Sequence, residues 1–292
     1  MADHTGPHID AATGVSTTGH EWDGIRELNN PLPRWWLWVF YATIVWSVAY
    51  WVVYPSWPLV SSYAGGVIGW SSREQVDVAL AALQTQRGAT MQRLADTPVE
   101  QANADPDLLA FSQALGRTAF GDNCAPCHGA GGGGARGYPN LVDDERLWGG
   151  SLEQIQQTIT HGVRNADADS RQGEMPAFVR DGMLPADEVP VVIEYVRQIA
   201  GLDVQPGADL GKGKEIFEAN CAACHGADGH GNQELGAPSL VDPIWLYGYD
   251  RKDMAETIRN GRGGVMPTWA GRLDPTTIKA LTIYVHALGG GA

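Results

Sequence analysis

Residues 123–129 read NCAPCHG, and residues 220–226 repeat the string as NCAACHG, with Pro126 replaced by Ala223. All four cysteines of the 292-residue chain lie in these two strings, as Cys124, Cys127, Cys221 and Cys224. No thiol is left for cross-bracing, so the chain is not a disulfide scaffold, and each string needs a local chemical explanation. Two thiols three residues apart can add across the two vinyl groups of one haem. The adjacent His then lies under the porphyrin plane, within reach of the iron. A zinc site would need four donors, and each string offers two Cys and one close His. A thioredoxin-type dithiol would want a βαβ frame, whereas the surrounding sequence has helical periodicity. The strings therefore predict two covalently bound haem c groups, one on Cys124 and Cys127 and one on Cys221 and Cys224, with His128 and His225 as proximal iron ligands.

The strings sit inside a longer internal repeat. Phe120 and Phe217 each stand four residues before the first Cys, YPNL at 138–141 answers APSL at 237–240, and EMPAF at 174–178 answers VMPTW at 265–269. SLEQIQQTITHG predicts a helix with Ser151 as N-cap and Gln154 closing a capping box. DRKDMAETIRNG predicts its counterpart, capped by Asp250. Each copy closes on a longer amphipathic helix. The first carries Val189, Val192, Ile193, Val196 and Ile199 behind Pro185, with Gly201 as the stop. The second carries Ile278, Leu281, Val285 and Leu288 behind Pro275, with Gly289 after it. Two helical units result, 109–202 and 203–292, with Val204–Asp209 as the seam.

The repeat also selects the remaining iron ligands. Of six Met, only Met175 and Met266 hold equivalent positions, each before Pro. A thioether is soft and suits a low-spin, high-potential haem iron, so these two are the predicted sixth ligands. Whether each serves its own unit or its neighbour stays open from sequence. Met183 and Met254 have no counterpart and are expected in the core or on the surface. The carbonyls of Pro139 and Pro238 can accept from Nδ1–H of the proximal His and so fix its ring. His161 faces Asn260 in the other copy and reads as helix C-terminal chemistry, not a ligand. His230 and His286 are likewise unpaired.

Upstream, WWLWVFYATIVWSVAYWVVY, Trp35–Tyr54, holds 20 residues without a charge. At about 1.5 Å per residue it spans roughly 30 Å, the hydrocarbon thickness of a bilayer. Trp35, Trp36, Trp51, Tyr54 and Trp57 mark its interfacial ends. A polar leader precedes it and no small-residue cleavage site follows, so it predicts a retained single-pass anchor and not a signal peptide. The chain thus divides into a leader (1–34), a transmembrane helix (35–56), a connector (57–108) and the two repeat units. In the connector, REQVDVALAALQTQRGATMQRLAD predicts a helix with Val76, Leu80, Leu83 and Met91 on one face, read as lying against the next domain in preference to a dedicated partner surface. Arg26 and Arg34 precede the anchor and the next basic residue is Arg73, which places the leader in the cytoplasm. Haem c is attached outside the cytoplasm, which puts both repeat units on the outer face. A formal net charge of −14 argues against nucleic acid and for a basic protein partner.

The repeat units resemble class I cytochrome c domains through FxxxCxxCHG, the PxL segment, the Met-Pro pair and the closing helix with Tyr195-Val196 or Tyr284-Val285. The leader HEWDGIRELNNPLPRWW at 20–36, running into one transmembrane helix and two such units, resembles the dihaem P subunit (subunit III) of cbb3-type cytochrome c oxidases in its one-anchor form. That resemblance covers the chain from His20 to the C-terminus. It implies a mainly α fold with one N-terminal transmembrane helix and two tandem cytochrome c-like domains. It also implies a subunit with no catalytic residue of its own, in a proton-pumping complex of the bacterial inner membrane with its haem domains in the periplasm. Electrons would come from a soluble or membrane-bound cytochrome c donor and leave for the monohaem subunit and the O₂-reducing haem–copper subunit. The Glu27–Pro31 stretch would dock on the catalytic subunit, although the residues alone read equally as a helix entry stiffened by Pro31 and Pro33. Two other readings remain: a membrane-anchored dihaem cytochrome serving another periplasmic redox enzyme, and a dihaem peroxidase. The peroxidase needs an open sixth position, which two matched Met residues oppose.

Overall fold

The computed structural model describes residues 8–289. The chain divides into two compact units, 1–85 and 86–292.

In the first unit, strands β1 (Thr17–Trp22) and β2 (Ile25–Leu28) form an antiparallel hairpin. Its turn is Asp23-Gly24, with φ of 51° and 82°. Two consecutive left-handed residues make the turn whose twist matches paired strands, and Asp-Gly is a preferred sequence for it. Glu21 pairs with Arg26 across the strands at 2.6 Å. Helix α1 (Arg34–Val53) follows, with Pro33 as N-cap and no buried residue among its 20. A helix this apolar whose side chains all remain unburied has the length and composition to cross a membrane.

Helix α2 (Ser72–Asp96) forms over the predicted stretch, but Val76, Leu80 and Leu83 are exposed. Its burial begins only at Leu94, which joins Val99, Ala102, Leu108, Ala280 and Ile283 in one apolar cluster. Lys279 donates from Nζ to the carbonyls of Leu94, Ala95 and Thr97 at 2.6–2.9 Å, closing the C-terminal end of α2. Helix α3 (Val99–Ala104) and helix α4 (Pro106–Asn123) come next. Asp105 caps α4, accepting from the amides of Asp107 and Leu108, with Pro106 in the first turn.

Each CxxCH is a single helical turn: α5 (Ala125–His128) and α9 (Ala222–His225). Helix α6 (Leu152–His161) carries the predicted capping box of Ser151 and Gln154. Its counterpart α10 (Arg251–Asn260) has Asp250 at the N-cap, but the carboxylate makes no capping hydrogen bond. The closing helices are α7 (Val189–Ile199) and α11 (Pro275–Leu288), and α8 (Leu210–Asn220) opens the second repeat.

The helix pairing crosses the seam between the repeats. Opening helix α4 packs against closing helix α11 of the second repeat, while closing helix α7 packs against opening helix α8. Both crossings have the same design. At Gly116 of α4, an added Cβ would stand 2.6 Å from the Ala280 carbonyl oxygen and the Tyr284 Cβ. At Gly213 of α8, it would stand 2.8 Å from the Val191 carbonyl oxygen and the Tyr195 Cβ. One turn on, Phe120 meets Tyr284 with ring centroids 5.5 Å apart, and Phe217 meets Tyr195 at 5.4 Å. The connection at residues 200–209 brings α8 back onto α7, and α4 pairs with α11.

That connection is pinned, not loose. Arg251 grips the carboxylate of Glu194 at 2.6 Å and that of Asp203 at 3.1 Å. Glu194 also accepts from the Gln205 amide, and Arg197 donates to the Asp203 backbone oxygen at 2.8 Å. Glu194 and Arg197 are only 5% and 4% exposed, so ions this buried survive because each is paired and hydrogen-bonded.

Candidate functional site

Both CxxCH turns are held in the same way. Cys124 ends α4, its amide bonded to the Phe120 oxygen, and the amides of Cys127 and His128 both return to the Cys124 carbonyl. Cys221, Cys224 and His225 repeat this after Phe217. Cys124 and Cys221 are largely buried, which pushes their thiols up to about 11, while Cys127 and Cys224 are exposed.

The imidazoles are oriented as the repeat suggested. His128 Nδ1 lies 2.9 Å from the Pro139 carbonyl oxygen, and His225 Nδ1 lies 2.9 Å from that of Pro238. A carbonyl can only accept, so Nδ1 carries a proton in both rings and Nε2 is the nitrogen left to face a metal. Burial lowers the pKa of His225 against the opposing pull of Pro238, which favours the neutral imidazole that a metal requires. The approach of the proline strand to the His depends on a glycine six residues after each His. Gly134 and Gly231 sit at φ of 67° and 80°, and a Cβ on either would fall 2.5 Å from a carbonyl oxygen of that strand. The equal offset of these two glycines from His128 and His225 is a signal already present in the sequence, lying outside the haem-attachment motif itself.

The Met residues go to opposite repeats. Met175 packs with Phe217, Cys221 and Ala222, beside the second string. Met266 packs with Phe120, Cys124 and Ala125, beside the first. Each backbone is clamped by the loop after the short helix of the other repeat. Met266 exchanges both hydrogen bonds with Val163 at 3.0 Å, and Met175 does so with Arg262 at 2.9 and 3.0 Å. Two more matched glycines permit this. Gly162 at φ 71° would drive a Cβ to 2.4 Å from the Met266 oxygen, and Gly261 at φ 73° to 2.5 Å from the Met175 oxygen. Met183 is exposed and Met254 is buried in the core. His161 ends α6 and binds the Asp167 carboxylate through Nδ1 at 3.1 Å. Asp167 also accepts from Thr268, two residues after Met266.

A cavity of about 420 Å³ opens beside His225. Cys221, Cys224, Phe217, Val196, Met254 and Met175 are among its largely apolar walls, and Arg164 and Arg262 bring guanidinium groups to its lining. Arg164 adopts φ 51°, a left-handed conformation costly for a side-chain-bearing residue. It is held there by donation to the Gly264 oxygen at 2.6 Å and to the Gly173 oxygen. Arg262 donates to Thr257 Oγ1 at 3.0 Å and lies over the Tyr247 ring at 4.3 Å. A largely apolar slot lined by two Cys, a His, a Met and two Arg fits a flat, covalently tethered haem with two carboxylates.

Comparison with known proteins agrees with this chemistry. A family described as the N-terminal domain of cytochrome oxidase-cbb3, FixP, matches residues 14–61. Cytochrome c matches residues 113–200, and cytochrome c oxidase, cbb3-type, subunit III matches residues 208–285. The cbb3-type cytochrome c oxidase subunit FixP of Azorhizobium caulinodans is 59% identical over 97% of this chain and 96% of its own length. FixP of Bradyrhizobium diazoefficiens is 56% identical over the full length of both. The corresponding subunit CcoP of Cereibacter sphaeroides is 48% identical over 94% of this chain and 95% of its own.

Proposed function

Since the chain belongs to the FixP/CcoP family of cbb3-type cytochrome c oxidase subunits, an electron-transfer subunit not catalytic alone, we propose that it relays electrons through two covalent haem c groups with exchanged Met ligands. Cys124 and Cys127 would hold one group, with His128 and Met266 as its iron ligands, and Cys221 and Cys224 would hold the other, with His225 and Met175. The haem iron supplies a one-electron ferric–ferrous couple when bound.

The chain's own residues set how that couple behaves. Pro139 and Pro238 fix each imidazole through Nδ1, which leaves Nε2 aimed for ligation and makes the ring a better donor. The backbone bonds from Val163 and Arg262 fix the main chain of Met266 and Met175, which limits how far each side chain can move. Phe120, Phe217 and the closing helices exclude water from the apolar faces, and Arg164 and Arg262 offer partners for the carboxylates of the group at His225.

The donor is a soluble or membrane-bound cytochrome c with a basic face, matched to the −14 charge of this chain. The acceptors are the monohaem cytochrome c subunit and the haem–copper catalytic subunit. The anchor α1 sits in the bacterial inner membrane with the N-terminus cytoplasmic and both haem modules periplasmic. The observation that carries the reading is that each Met-Pro loop packs at the CxxCH of the other repeat. Met175→Leu in the assembled complex should lower the midpoint of the haem on Cys221 and Cys224 by on the order of 0.1 V, within the roughly 0.8 V that axial ligands span. Met266→Leu should act on the other haem. Spectropotentiometry of variants lacking one CxxCH identifies which haem moves; a fall at the haem of the same repeat would refute the exchange.

A further inference from the structure

The chain beyond α1 is not a polar linker. From Trp35 to Ser72 it contains no Asp, Glu, Lys, Arg or His, so the uncharged stretch runs well past the helix end at Val53. The residues after the helix turn back onto its last turn. The amide of Val67 donates to the Val52 oxygen at 3.0 Å, that of Ile68 to the Val53 oxygen at 3.4 Å, and Ser56 Oγ to the Trp51 oxygen at 3.1 Å. Gly66, at φ 71°, makes the return possible, since a Cβ there would fall 2.3 Å from the Val53 oxygen. Trp57 and Trp70 set their rings edge-on against Trp51 and Tyr54, at 4.9 and 6.0 Å.

The loop also bonds to itself. Ser56 and Ala64, Ala64 and Trp57, and Leu59 and Ser62 are joined backbone to backbone at 2.7–3.1 Å. The carbonyls that a helix normally leaves to water are thus taken up by the chain. Outward, the loop shows Trp57, Leu59, Val60, Tyr63, Val67 and Ile68, with Val60 wholly exposed and Val67 76% exposed.

We propose that residues 54–70 are a second membrane contact, an interfacial cap lying at the boundary of headgroups and acyl chains on the side of the haem modules. This rests on α1 being a membrane span and extends that reading. Three observations favour lipid over a protein partner. The 20 residues of α1 already measure about 30 Å, so the loop starts where the hydrocarbon ends. The last carbonyls of α1 are taken up by the returning loop, which spares the helix end the water that a poorly hydrated boundary would lack. Its mixture of Trp and Tyr with Ser and Gly, free of charge, is the composition of an interfacial belt, and it offers a protein neighbour no ion pair.

The test places a photoreactive residue in the assembled oxidase complex in native membranes, as Val60→p-benzoylphenylalanine, with Val45→p-benzoylphenylalanine within α1 as reference. After illumination, the purified subunit is analysed by mass spectrometry. Phospholipid adducts at position 60, in yield comparable to position 45, are expected. Lipid at 45 with a subunit crosslink or no adduct at 60 would overturn the cap while leaving the span intact. Lipid at 60 with none at 45 would remove the span on which the cap depends. Recovery of haem-loaded complex in normal yield shows that each variant has assembled.

Discussion

At the scale of single residues, four glycines carry the site as much as the four cysteines do. Gly162 and Gly261 let each Met-Pro segment touch the loop that clamps it, and both sit at positive φ. Gly162→Ala or Gly261→Ala should therefore cost about 1–3 kcal/mol in stability, from strained backbone and a displaced neighbour. The distinguishing effect is spectroscopic: the Met–iron charge-transfer band of one haem should weaken, at the haem of His128 for Gly162→Ala and of His225 for Gly261→Ala. Equal loss at both haems would mean general unfolding. Glu194 gives a prediction in pH. The Arg251 guanidinium beside it holds its carboxyl below the usual glutamate value of 4.5. A depressed folded-state pKa contributes stability that is complete above that value and is lost as pH falls through the folded one. Denaturation followed on the acid side of about pH 4.5 should be shallower for Glu194→Gln than for the native chain, at the expense of lower stability near neutral pH.

At the scale of elements, the two short helices and two closing helices were legible because each pair repeats its apolar spacing, even though only one helix of each pair carries a side-chain N-cap bond. Ser151 with Gln154, and Pro275 behind Asp274, are local signals, and the structure obeys them. The hairpin was legible in principle through Asp23-Gly24, but a mostly exposed two-stranded ribbon leaves no run of buried alternation to read. The exposed face of α2 at Val76, Leu80 and Leu83 was not legible as such, because periodicity reports an apolar stripe and not what covers it. What does fix the end of α2 is Lys279, whose burial lowers its pKa while three carbonyls surround its ammonium. Lys279→Met keeps the length of the side chain but leaves those oxygens unpaired, and should destabilise the 86–289 region by about 1–3 kcal/mol. Chemical denaturation gives the total, and hydrogen exchange should show the loss concentrated at residues 94–99.

At the scale of the whole molecule, the repeat predicts two haem-binding units and their ligands, yet it could not reveal which opening helix packs on which closing helix. Tandem order is written in the sequence; that α4 pairs with α11 is seen only in the packing. The consequence for dissection is direct. A chain cut after Leu202 retains the first CxxCH but loses α11 and Met266, so its haem should lack a Met ligand and its opening helix a partner. Such a fragment, exported and purified, should show a haem without the Met–iron band and a broad, weakly cooperative melt. A sharp transition with the band intact would mean that Met175 can serve its own repeat.

The α4–α11 crossing also fixes an order in time. Synthesis runs from the N-terminus, so Cys124 and Cys127 are made before Pro275–Leu288. Until that last helix arrives, α4 lacks its partner and the first pair of thiols stays open. The second pocket differs, for α7 already lies upstream when Cys221 emerges. One site waits for the end of the chain, and the other begins to close as soon as it appears.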